Sequence, residues 1–168
     1  QLLSRMPRRR LDIEQWRDNL LALTGQLDRR LYGVAAPLDQ PGFVRRTLYG
    51  RVVREELNTM LRLYDFPEAS GHCPNRAPTT TPLQQLFVLN SSQMLQWAAS
   101  LSLPAEMTPE VCVEEAYQRL FRRNPSPLER DRSVAFLTRL SEGKQITTAT
   151  WEAYLQVLLG SNELMFLD

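Results

Sequence analysis

"MTPEVCVEEAYQRLFRRNPSPLERDRSVAFLTRL", residues 107 to 140, contains two helix beginnings built in the same way. Thr108–Pro109 and Ser126–Pro127 each put a hydroxyl at the cap and proline at the first helical position. Proline fits there because its missing N–H would have had no partner, while the hydroxyl accepts from an N–H that needs one. "TPLQ" at 81–84 repeats the device, and both it and "SPLE" at 126–129 complete a capping box, through Gln84 and Glu129. These starts predict helices over about 82–102, 109–123 and 127–141.

The stretches on either side read the same way. "LDIEQWRDNLLALTGQLDRRL" (11–31) sets Ile13, Trp16, Leu20, Leu23, Leu27 and Leu31 at steps of three and four, with Asp12 as cap and Gln15 three residues on. "VREELNTMLRLYDF" (53–66) reads as a helix stopped before Pro67. "TWEAYLQVLLG" (150–160) places Trp151, Tyr154, Leu155, Leu158 and Leu159 on one face and ends on Gly160. Only "FVRRTLYGRVV" (43–53), after the "QPG" break at 40–42, carries enough β-branched and aromatic residues for a short strand or extended arm. The expected fold is all-α: a single compact bundle or array of about six helices over residues 1–168, with at most a short β arm near 43–53. The spacings between the three [ST]-P starts, 27 and 18 residues, are unequal, which rejects a solenoid.

At 168 residues, 43% apolar and 23% charged, the chain has the make-up of one ordinary globular domain. No apolar run approaches the ~20 residues that span a bilayer. The chain begins "QLLSRMPRRR" with no initiator Met and no signal peptide; Leu2, Leu3 and Met6 read as the end of a helix belonging to a longer protein. A net charge of +1 argues against a dedicated nucleic-acid binder. The charge is uneven, however: residues 1–62 carry 12 Arg against 7 acids, and the rest carries 8 bases against 12 acids.

"SGHCPNRAP" (70–78) holds the only histidine beside one of two cysteines. A covalent haem needs C-x-x-C-H, and here His72 precedes a single Cys73, so this chain carries no such site. Zinc needs about four ligands, and two neighbours rarely reach one ion. A Cys–His catalytic pair needs the two side chains together in space, whereas adjacent residues point apart. Cys73 therefore reads as a small buried anchor or a bridge to Cys112, with His72 on a loop. The carboxylate pairs Glu55–Glu56, Glu114–Glu115 and Glu129–Asp131 face different directions on helices. No phosphate-binding glycine loop, nucleophile elbow or zinc-protease motif occurs. The remaining chemical candidate is "RRTLYGRVVREELN" (45–58): Arg45, Arg46, Arg51 and Arg54 around Tyr49 can hold an anion or an acidic partner, or else pair with the acidic C-terminal half.

In order, "RRRLDIEQWRDNLLALTGQLDRRLYG", "RRTLYGRVVRE", "LYDFPEASGHCPNR", "TTTPLQQLFVLNS", "AYQRLFRRNPSPLERD" and "LLGSNELMFLD" resemble the planctomycete-specific domain of unknown function over essentially the whole chain. Cys73 and Arg76 fit its C-x-x-R pattern; Asp65–Phe66–Pro67, Gln85 and Asn90 fall on pattern positions, and His72 does not. The resemblance implies the C-terminal module of a large protein with a second planctomycete domain and often a cytochrome c-like haem domain upstream. It implies a periplasmic or cell-envelope location, and it lends no catalytic residues. The expected function is a non-catalytic helical module that packs on upstream domains or a partner protein, with no cofactor of its own. The alternative is a subdomain of an enzyme whose shared active site binds an anionic substrate. Arg45, Arg46, Tyr49, Arg51 and Arg76 are the binding residues in that case. Their convergence in one open concavity without carboxylate partners distinguishes the second reading from the first.

Overall fold

The computed structural model describes residues 8–101 and 108–167. Among them the architecture is mostly helical: α1 (Ile13–Leu23), α2 (Thr59–Leu63), α3 (Pro82–Asn90), α4 (Ser92–Ala99), α5 (Pro109–Phe121), α6 (Pro127–Leu140), α7 (Thr148–Leu159) and α8 (Asn162–Met165). Among the described residues the only sheet is one antiparallel pair, β1 (Arg9–Arg10) on β2 (Phe166–Leu167), in register Arg9 opposite Leu167. Leu2, Leu3 and Met6 lie outside the described residues. The chain forms two compact units, one running to Phe87 and taking back the end from Met165, the other Val88–Leu164.

In the first unit, α1 buries Ile13, Trp16, Leu20 and Leu21. It stops eight residues short of Leu31. Thr24 Oγ1 donates back to Leu20 O at 2.9 Å, and Gly25 takes φ +71°. Gly25 N–H then bonds Ala22 O at 3.1 Å and Gln26 N–H bonds Leu21 O at 2.9 Å, the paired closure that a left-handed glycine allows. The expected helix over 53–66 shrinks to α2, whose cap is Asn58, with Oδ1 accepting from Met60 N–H at 3.0 Å. The expected arm over 43–53 is a 3₁₀ turn at Thr47–Tyr49 flanked by two isolated bridges, Asp28 to Arg45 and Ala36 to Gly50.

The second unit packs α4 and α5 against α7, and α5 against α6. Its core is Met94, Trp97, Cys112, Val113, Leu137, Trp151, Leu155 and Leu159. The expected helix over 82–102 is two helices, because Ser91 turns extended (ψ 129°) and caps α4 by accepting from Gln93 and Met94 N–H. Thr108 and Ser126 cap α5 and α6 as read from their sequence, and Ser126 with Glu129 forms the capping box. After α5 ends at left-handed Arg122 (φ 57°), Arg123 donates to Glu129 at 2.7 and 2.9 Å and to Glu163 at 2.7 and 2.8 Å. This network ties the start of α6 and α8 to the end of α5.

The Arg123 guanidinium, helped by Ser126, draws the Glu129 carboxyl down to about 2. A depressed folded value means that the stabilisation is complete above the ordinary value of 4.5 and is lost as pH falls through about 2. The pair is partly exposed, so after solvent screening it is worth about 1 kcal/mol. Urea midpoints should therefore drop between these pH values, and Arg123→Gln should flatten that part of the profile. An unchanged slope in the variant would remove Glu129 from the account.

Candidate functional site

The five arginine and tyrosine candidates do not converge. Arg45 is enclosed by the loop before it: it donates to Val34 O (3.3 Å), Arg30 O (3.4 Å) and Tyr32 O, and its guanidinium lies 4.0 Å from the Tyr49 ring centre. Tyr49 Oη accepts from Tyr32 N–H at 2.8 Å. Arg46 pairs with Asp18 at 3.8 Å, a partner from its own half of the sequence rather than from the acidic C-terminal half. Arg76 forms a fork on Glu14 at 2.8 and 2.9 Å, and Arg51 is exposed.

Clamped at three carbonyls, the 30–34 loop is fixed with Tyr32 at φ 63° and Gly33 at φ 99°. A Cβ on Gly33 would stand 3.3 Å from Arg45 Nη1, so the loop closes tightly on the guanidinium. Its apolar side chains nevertheless point to solvent: Leu31 is 62%, Tyr32 83% and Val34 89% exposed. Leucine, tyrosine and valine held in water on this backbone form an exposed apolar patch.

Among the described residues of the same unit are two clefts. One, of about 440 Å³, is edged by Asp18 and Arg46 and floored by Leu38, Leu61 and Phe66. The other, of about 470 Å³, opens at the start of α1 between β1 and the 73–78 loop. Arg46 lines the first and Arg76 the second, while Arg45, Tyr49 and Arg51 line neither. The floor of the larger cleft is Trp16 stacked on Tyr64, with ring centres 4.9 Å apart. Tyr64 Oη donates to Gln84 O at 3.0 Å, and burial pushes its phenol up to about 12, so it stays protonated at neutral pH. Arg10 lies over the Tyr64 ring and donates to Gln84 Oε1 at 3.0 Å and to Thr79 O.

Cys73 stands on the wall of this cleft. It is an exposed free thiol donating to Asn75 O at 3.2 Å, not the buried anchor or bridge expected from sequence, because its loop is held by Arg76 and Asp65 instead of by a core contact. Cys112 is a free thiol buried on α5; burial raises its pKa and makes it inert. His72 is exposed on the loop. Among the described residues no group of three or more His, Cys, Asp or Glu could hold a metal, and no helix is long and apolar enough to cross a membrane. Arg9, Arg10 and Trp16 are cleft residues that sequence reasoning passed over. The signal for Arg9 and Arg10 was the arginine run at 8–10 set just before the Asp12 cap.

Residues 1–137 match the model of a family described as PSD1, protein of unknown function (DUF1553). No curated protein and no solved structure matches the chain.

Proposed function

The chain belongs to this family of proteins of unknown function, DUF1553, and from that premise we propose that it is a non-catalytic helical module that docks on other domains or on a partner protein. One observation carries the reading: Arg45 is engaged by the loop before it and stiffens that loop, which offers Leu31, Tyr32 and Val34 to solvent. A guanidinium held by three carbonyls and an aromatic face has little left for a substrate. A rigid aromatic tip, by contrast, is what carries binding energy at protein interfaces. By its resemblance to the planctomycete module, the chain would sit C-terminal to a second planctomycete domain in an exported protein of the periplasm or cell envelope. Haem would belong to a cytochrome c-like domain of that parent, and the chain would carry no cofactor of its own. The alternative, a shared active site using Arg45, Arg46, Tyr49, Arg51 and Arg76 on an anion, is weakened by the separate engagements of Arg45, Arg46, Tyr49 and Arg76.

The test is to produce this chain and the rest of its parent as separate polypeptides and measure their association by calorimetry. A stoichiometric complex is expected, and Tyr32→Ser with Val34→Ser should weaken it by about tenfold or more. Failure of the two parts to associate, or an unchanged affinity in the double variant, refutes the docking reading.

A further inference from the structure

The larger cleft has a donor surplus that the docking function does not use. Its carboxylates are already engaged. Asp65 accepts from Thr79 N–H at 2.8 Å and Thr79 Oγ1–H at 2.7 Å and faces Arg10 at 3.9 Å. The Asp12 carboxylate caps α1, facing the Gln15 backbone N–H in the capping box. The donors are not all matched. Trp16 is 2% exposed, yet its Nε1–H has no acceptor, and a buried donor without a partner costs about 1–3 kcal/mol. Arg9 is exposed at the rim, and among the described residues no side chain bonds it. Of the three guanidiniums lining the cleft, Arg76 is forked on Glu14 and Arg10 faces Asp65, which leaves Arg9 as the charge at the rim. The start of α1 adds the positive end of an 11-residue helix. Apolar groups complete the walls: Ile13, the Trp16–Tyr64 stack, Pro74, Pro78 and Met165.

A molecule that satisfies this cleft brings acceptors and negative charge on a flat apolar body. We propose that the cleft binds a small organic anion, a carboxylate or a phosphate monoester, whose oxygens take the Trp16 Nε1–H and the Arg9 guanidinium while its body lies against the aromatic floor. At about 470 Å³ the cleft is of the size that holds a compact ligand of this kind. The assignment is independent of the docking surface, which uses the 30–34 loop.

Titration of the full ¹⁵N-labelled chain tests it, with benzoate and phenyl phosphate as probes and benzyl alcohol and benzylamine as neutral and cationic controls of the same shape. The Trp16 indole resonance, assigned by its loss in Trp16→Phe, should shift saturably with one or both anions and with neither control. Which anion binds more tightly decides between carboxylate and phosphate. Arg9→Gln, a change at an exposed side chain, should raise Kd about fivefold, and Arg9→Lys should recover part of that loss. Alkylation of Cys73 by iodoacetamide gives a second measurement that does not depend on the Trp16 variant: the bound anion should slow it, while buried Cys112 stays unreactive in either case. An equal response to benzyl alcohol, the absence of a saturable shift with both anions, or an Arg9→Gln affinity equal to wild type overturns the proposal.

Discussion

Arg17→Met should lower the stability of the first unit by about 3–5 kcal/mol, the cost of breaking a buried charged network from one side. The side chain is fully buried on α1. Its Nη2 donates to Phe43 O at 2.7 Å, and its Nη1 donates to Arg45 O at 3.0 Å and Thr47 Oγ1 at 3.2 Å. The guanidinium also lies 5.3 Å from the Phe43 ring centre. Neighbouring Asp18 holds the same turn from its other side, accepting from Thr47 N–H at 2.7 Å and Thr47 Oγ1 at 2.6 Å. Two consecutive residues of α1 thus fix the 43–47 segment, and that segment carries Arg45, the clamp of the exposed loop.

Methionine keeps the volume and loses every donor, leaving the carbonyls of Phe43 and Arg45 without partners. Burial pulls the Arg17 guanidinium down to about 10, against the pull of Asp18, so it is charged at neutral pH in both the folded and unfolded chain. Stability should rise with pH only above about 10, where the folded guanidinium gives up its proton before the unfolded one, and the variant should be destabilised equally from pH 6 to pH 9. Arg17→Lys keeps the charge without the fork and should fall between the two. The measurement is the urea midpoint followed by tryptophan fluorescence. A loss below about 1 kcal/mol would show that the 43–47 segment does not depend on this residue. A further consequence concerns docking: a loosened clamp should weaken partner binding even where the unit stays folded.

The helix starts were legible because proline and hydroxyl caps act within four residues. Thr81, Thr108 and Ser126 accept from the N–H three positions on, and the buried face of α7 carries Trp151, Tyr154, Leu155, Leu158 and Leu159 as its periodicity requires. Stops were harder to read. Leu27 and Leu31 continue the spacing of α1 by coincidence, and the Thr24–Gly25 pair that closes the helix is a signal outweighed by that spacing. Ser91 was read as a helix interior when it is a cap.

The site was less legible still, for a physical reason. A guanidinium that binds an anion and one that binds backbone carbonyls have the same sequence, and only the fold decides which acceptors reach Arg45. Arg17 could have been found: it sits four residues after Ile13, on the apolar face of α1, where a charge demands buried partners. Gln84 was visible as half of a capping box with Thr81. Its other engagements, Nε2 to Leu63 O at 2.8 Å and Oε1 from Arg10, come from chain segments that no local pattern connects.

Gln156→Glu should destabilise the second unit by about 2–4 kcal/mol at neutral pH, although it changes a single atom of the side chain. Gln156 lies on α7, is 9% exposed, and donates from Nε2 to Val88 O at 3.1 Å and Leu89 O at 2.8 Å. Those are among the last carbonyls of α3, which have no partner within their own helix. The break at Ser91 releases them, and Gln156 supplies the amide that takes both. An ionised carboxylate in its place donates nothing and turns its charge toward two carbonyl oxygens. Protonation restores one donor, so the folded value of the introduced carboxyl is raised above its unfolded value. The variant should therefore be most stable below about pH 4, the range of an ordinary glutamate, and lose stability as pH rises through the folded value. Gln156→Leu leaves the same two carbonyls unpartnered at every pH, so its loss should be flat. Parallel profiles for the two variants would show that Val88 O and Leu89 O find other donors, and that α3 ends at Asn90 for reasons unconnected with α7.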